Sequence, residues 1–322
     1  MKPAGLRVAA IPERQCTDTV LLVRPASFYA NPETLASNAF QSVGSESRAA
    51  TLAAAQREFD GAVQALGDAG VQVAVLAADA TADTPDAVFP NNWFSTHEDG
   101  TLVLYPMATE NRRRERQPQR LTELARTEGW RIQRTVDLTH FEQQGEYLEG
   151  TGSLVLDRTH RIAYATLSAR TSATALNAFC RALDYRAISF RSRDQRGQPV
   201  YHTNVLMSVG PTLAILCTAL FARTADARAV SDQLQGDGKQ LLDLSSEQIG
   251  ELAGNVLFLD GGRAGPVVAV STRAWQALSA AQRQLVELHA RPALCSIDTI
   301  ERCGGGGIRC MIAEVFLPRQ GA

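Results

Sequence analysis

The sequence predicts an α/β fold assembled from one repeated unit (strand, tight turn, strand, helix) and closed into a single domain over residues 1–322. Three observations lead to this expectation. Hairpin-like pairs come directly before helical stretches: "FPNNWFSTHEDGTLVLYP" before 120–129, "GSLVLDRTHRIAYATLSART" before 172–183, and "NVLFLDGGRAGPVVAVST" before 274–289. Their turns, "EDG", "DRTH" and "DGGRAG", supply the Asp and Gly that tight hairpins need. Each unit takes roughly 50 residues, so four or five fill the chain, which is the spacing of periodic architectures. A doubly wound sheet is the competing arrangement, but it would alternate single strands with helices rather than hairpins with helices.

The elements follow in order. Strands are expected at "TVLLVRP" (19–25), "VQVAVLA" (71–77), "TLVLYP" (101–106), "GSLVLD" (152–157) and "RIAYATL" (161–167). Further strands are expected at "HTNVLMSVG" (202–210), "TLAILC" (212–217), "NVLFLD" (255–260), "PVVAVS" (266–271) and "IRCMIAEVFL" (308–317). Each run is short, rich in β-branched residues and bounded by turn formers. Helices are expected at 48–70, 120–129, 172–183 and 271–289, where apolar residues recur near every 3.6 positions and a Gly or Pro follows. No Pro/Ser/Gly-rich linker divides the chain.

Composition excludes several classes. A net charge of -2, from 32 Lys+Arg against 34 Asp+Glu, provides no field to attract a phosphate backbone, so nucleic acid is not an expected partner. The one basic cluster, Arg112, Arg113, Arg114 and Arg116, is flanked by Glu110 and interrupted by Glu115, and reads equally as a solvated helix start or a binding element. No stretch reaches the about 20 apolar residues of a membrane span, and "MKPAGLRVAAIPERQC" lacks the apolar core of a signal peptide. A cytoplasmic location is expected, and a homo-oligomer is compatible with the composition. Six cysteines without paired spacing are expected to be free thiols, with no metal site.

Four places combine reactive side chains with small neighbours at strand edges. Cys310 follows "GGGGIR", where glycines permit close backbone approach to a ligand, although an isolated buried cysteine is more often a small hydrophobe. No Lys-Ser/Thr follows these glycines, so they do not form a phosphate loop. His202, in "VYHTNVLMSVG", carries an imidazole, whose unperturbed pKa suits proton transfer in both directions, although a lone histidine in a strand is more often structural. Glu149 lies in "EYLEGTGSLV". If the repeats close around an axis, these three residues from different repeats form a Cys-His-Glu site. Asn91 and Asn92, in "DAVFPNNWFSTH", either cap a turn or bind a planar, nitrogen-rich group, since each amide both donates and accepts.

Taken together, "FPNNW", "LEGTGSLVL", "AYATLSARTS", "YHTNVLMSVGPTLAI" and "GGGGIRCMIAEVF" resemble the guanidino-group modifying superfamily of arginine deiminases, dimethylarginine dimethylaminohydrolases and amidinotransferases. With "VRPASFYANPETLASNAFQ" at 23–41, the chain looks most similar to the citrulline utilisation hydrolase branch. The resemblance implies a five-bladed α/β propeller, the pentein fold, with Cys310 as nucleophile, His202 as general acid and base, and Glu149 as supporting carboxylate. It further implies that Arg170, in "LSART", and Arg113, in "NRRRE", hold a substrate α-carboxylate. Where deiminases and dimethylarginine hydrolases carry an acid, this chain has Asn92. An amide cannot form the charge-assisted pair with a guanidinium, so a neutral ureido group such as that of citrulline becomes the expected ligand.

The expected chemistry is hydrolysis of a linear C–N bond through a covalent thio-intermediate on a small amino-acid substrate, with no metal or organic cofactor. Arginine or methylarginine deimination, amidino transfer to an amine, and a ligand sensor without turnover are the alternatives. The presence of Cys310, His202 and Glu149 together speaks against the sensor.

Overall fold

The computed structural model describes residues 13–320. Its strands form five three-stranded sheets of one design. In four of them, a short first strand turns back antiparallel into a second. A helix then carries the chain to a third strand, which pairs parallel with the second. The sets are β3 (Phe94–Thr96), β4 (Thr101–Leu104) and β5 (Arg134–Asp137), then β6 (Val155–Asp157), β7 (Ile162–Thr166) and β8 (Arg186–Phe190). They continue with β9 (Met207–Val209), β10 (Leu213–Leu216) and β11 (Gln240–Asp243), and with β12 (Leu257–Asp260), β13 (Pro266–Ser271) and β14 (Arg291–Cys295).

The fifth sheet is assembled from both ends of the described chain. β1 (Thr19–Arg24) pairs parallel with β2 (Gln72–Ala77) across a helix and antiparallel with β15 (Ala313–Glu314). The first strands lie side by side, β15 against β3, β6 against β9 and β9 against β12.

Burial explains the register. The middle strands are mostly apolar and almost wholly buried, as in "LAIL" of β10 and "IAYAT" of β7. The helix Arg48–Asp68 turns Ala55, Phe59, Ala62 and Leu66 onto its sheet, three or four residues apart, and Ser47 caps its start. The third strands are polar and partly exposed, as in "RTVD" of β5.

Several expectations need correction. The run 308–317 is not one strand: Ile308–Met311 forms a helical turn and only Ala313–Glu314 pairs. The predicted strands 202–210 and 152–157 likewise begin as helical turns, Thr203–Leu206 and Gly150–Ser153. The helix expected at 271–289 is two helices, because Ser279 and Gln282 form a capping box that starts a new one. The basic cluster is not a wholly solvated face, since Arg112 and Glu115 are buried. No helix among the described residues is long and apolar enough to cross a membrane. All six cysteines are free thiols.

Candidate active site

Each sheet's first strand is preceded by a short turn, and these turns converge. They bring Cys310, His202, Glu149 and Asn92 together at one site, where the loop after β7 adds Arg170, although the five lie far apart in sequence. All but Glu149, which sits directly behind His202, line a single narrow cavity shared with Asn38, Asp86, Phe89, Arg112, Tyr201 and Gly304 to Gly306. The cavity has room for about 20 Å3, roughly one water. Segment 31–42 covers it: Ser37 Oγ accepts from Arg170 Nη2 at 2.6 Å, and Asn38 Nδ2 donates to the Gly304 carbonyl at 3.2 Å.

Glu149 holds the imidazole. His202 Nε2 lies 2.8 Å from Glu149 Oε2, while Ala108 N donates to Oε1 at 3.0 Å. Burial alone would raise this carboxyl, but Arg170, 3.6 Å away, the His202 hydrogen bond and Arg112 outweigh it and keep Glu149 ionised. Burial pushes His202 down to about 4, with Glu149 opposing and the two arginines assisting. Burial also raises the Cys310 thiol, opposed by hydrogen bonds from Asn255 and Asn204. The resting site therefore pairs a neutral thiol with a neutral imidazole beside a carboxylate. No hydrogen bond joins thiol to imidazole among the described residues, and both side chains line the same cavity.

The glycine run has specific steric causes. Gly305 has φ +68 and lies so close to Asn38 that a Cβ would meet its amide at 2.6 Å. At Gly307 a Cβ would come within 2.7 Å of Asn255 Oδ1.

Two sequence-predicted residues lie outside the cavity wall. Asn91 turns its amide to Thr151 Oγ1 at 3.3 Å. Arg113 faces Met107 O, Glu110 and Glu142, and its neighbour Arg112 occupies the wall instead. Arg112 is bidentate to Glu115 and donates to Asn92 Oδ1 at 2.8 Å. Sequence reasoning also passed over Asp86, Asn204 and Asn255. Asp86 leaves Oδ1 without a hydrogen-bond partner at the cavity. A sequence signal existed for Asn204 and Asn255, because both sit just before a first strand, as the recognised residues do.

One group of possible metal ligands occurs among the described residues, Asp157, His160 and Asp237. None of them lines the cavity, and the Lys239 ammonium stands 3.4 Å from Asp157.

The family described as N,N dimethylarginine dimethylhydrolase, eukaryotic, matches residues 24–317. No curated protein matches the sequence. Among solved structures, ArgZ, an arginine dihydrolase from the ornithine-ammonia cycle in Cyanobacteria, aligns at 16% identity and TM-score 0.71 over 94% of this chain. This chain spans only 41% of ArgZ, but 99% of its N-terminal domain, for which a structure carries a covalent reaction intermediate. AgrE, captured with L-arginine, aligns at 17% identity and TM-score 0.70, over 94% of this chain and 41% of its own. A dimethylarginine dimethylaminohydrolase adduct with S-methyl-L-thiocitrulline aligns at 13% and 0.63, over 93% of this chain and 100% of its own. At such identities the structural likeness speaks for the fold. Together with the sequence match it leads to one conclusion: the chain belongs to the N,N dimethylarginine dimethylhydrolase family, within the guanidino-group modifying superfamily.

Proposed function

We propose that this protein hydrolyses a linear C–N bond of a ureido amino acid, citrulline first, to ornithine, ammonia and carbon dioxide. The observation behind this reading is the orientation of Asn92. Arginine only donates, so Arg112 fixes Asn92 Oδ1 toward itself and leaves Nδ2 as the free end, with a single long 3.5 Å contact to Glu149 O. A fixed N–H donor suits a ureido carbonyl oxygen and repels a guanidinium.

The steps balance with the groups present. As Cys310 Sγ bonds to the ureido carbon, the thiol proton passes to His202, and Glu149 stabilises the imidazolium. His202 returns that proton to the departing side-chain nitrogen, which leaves as ornithine. Water then attacks the carbamoyl thioester and gives its proton to His202. The thiol is regenerated with the imidazole's proton, and the carbamate decays to ammonia and carbon dioxide. Arg170 takes the α-carboxylate when Ser37 and the segment 31–42 withdraw, and Arg112 rather than Arg113 is the second cation nearby. Asp86, with its unpaired oxygen, suits the α-ammonium group. The five sheets are read as blades of one closed pentein propeller, a reading supported by β15 joining β1 and by the adjacent first strands.

A second reading is that arginine is accepted and hydrolysed twice, through a ureido stage. The descriptions of ArgZ and AgrE favour it. The test is to incubate the protein with citrulline, arginine, dimethylarginine and N-succinylarginine, with mass analysis of the amino acids and ammonia. Ornithine from citrulline alone supports the first reading, and ornithine from arginine the second. Citrulline accumulating from arginine would overturn both.

A further inference from the structure

The five converging turns are equivalent positions in the repeat, and the reading above uses only four of them. Asn92 precedes β3 by two residues, Glu149 and His202 precede β6 and β9 by six and five, and Cys310 precedes β15 by three. The turn before β12 contributes Asn255, two residues ahead of its strand and almost fully buried. Its side chain lies against the nucleophile.

Asn255 Nδ2 donates to Cys310 Sγ at 3.3 Å and to the Asn204 carbonyl at 3.0 Å, while Oδ1 stands 3.6 Å from the same sulfur. The carbonyl accepts only, so it fixes which end of the amide is nitrogen. One N–H is then held by the backbone, the second points at sulfur, and the amide oxygen lies within reach of the S–H proton. Asn204 Nδ2 approaches Sγ from another side at 3.5 Å. The cradle is tight, because a side chain at Gly307 would strike Asn255 Oδ1.

We propose that Asn255 is a positioning residue for the reaction: its carboxamide accepts the Cys310 S–H in the resting site and donates to the thiolate as the proton leaves, without turning. This is the contribution of the β12–β14 repeat to the site, and it rests on Cys310 being the nucleophile. The amide serves both protonation states because its two ends face one sulfur. An aspartate in the same place could accept the proton but would oppose the thiolate.

The experiment measures the second-order rate of iodoacetamide alkylation at Cys310 between pH 6 and 10, located by peptide mass analysis. It compares the parent protein with Asn255→Ala and the isosteric Asn255→Asp, with melting temperatures taken alongside. This readout needs no substrate, so it stands apart from the choice between citrulline and arginine. In Asn255→Ala the alkylation midpoint is expected to rise by about one pH unit, and in Asn255→Asp by more. With whichever amino acid proves to be the substrate, kcat should fall about 10- to 100-fold while KM stays within about threefold. Superimposable alkylation profiles in the parent and folded Asn255→Asp would overturn the proposal. A loss of activity confined to KM would overturn it too.

Discussion

Two buried clusters in this molecule hold nearly the same groups and differ in what they leave open. In the active-site cluster Glu149 faces His202, Arg112 and Arg170, and Arg170 stacks 4.8 Å from the Tyr201 ring centre. In the other, Arg158 stands 3.8 Å from Glu13 and 3.7 Å from Glu314, stacks 3.9 Å from the Phe316 ring centre and reaches toward His97. Burial pushes both imidazoles below their usual range. Yet both His97 nitrogens are engaged, by Ser95 Oγ at 3.1 Å and by Arg158, and Phe179 and Tyr185 pack against the ring. His202 has one nitrogen on Glu149 and faces a cavity across from a thiol. Buried charge with a shifted histidine therefore does not by itself mark a site. An imidazole nitrogen left free beside open space does.

The sharpest test of that contrast is Cys310→Ser, expected to lower turnover at least about 10^4-fold with a melting temperature near the parent's. Survival of turnover would remove the distinction between the clusters. Next, Glu149→Gln should lower kcat about 10^3-fold, since the imidazolium loses its partner, whereas His97→Gln should leave kcat within about twofold. Equal losses in the two variants would break the comparison.

Asn92→Asp sharpens the reading of the open cluster. The ratio of kcat/KM for arginine to that for citrulline should rise about 10- to 100-fold, because a carboxylate recruits the guanidinium. An unchanged ratio would take substrate discrimination away from this position. In the sealed cluster, Arg158→Met leaves Glu314 without its cation, while Arg161 and Tyr185 still hold Glu13, and should cost about 3 kcal/mol in urea unfolding with little change in kcat.

The smallest effect is in pH. A histidine kept neutral by the fold but protonated in the unfolded chain makes the unfolded state bind more protons. Stability should therefore fall as pH drops from about 6.5 toward the His202 value of about 4. His202→Gln and His97→Gln should each flatten part of that decline, while only the first abolishes turnover.

The repeat was legible in the sequence because hairpins and amphipathic helices are local. The Asp and Gly of a turn, or an apolar stripe such as Ala55, Phe59, Ala62 and Leu66, act within a few residues. Cys310, His202 and Glu149 were legible because reactive residues beside small ones are uncommon at strand edges. The third strands β5, β8, β11 and β14 were not legible, since their partly exposed faces dilute the alternation that identifies a strand. Nor could sequence separate helical turns from strands at Thr203–Leu206 and Ile308–Met311, where short apolar runs satisfy either period.

The choice of Arg112 over Arg113 was tertiary, because neighbours on a helix point about 100° apart and only the packing of Glu115 and Asn92 shows which one turns inward. Asn255 was tertiary as well. Its place just before a strand was visible in the sequence, but its meaning comes from the sulfur 3.3 Å away, supplied by a turn 55 residues further along the chain.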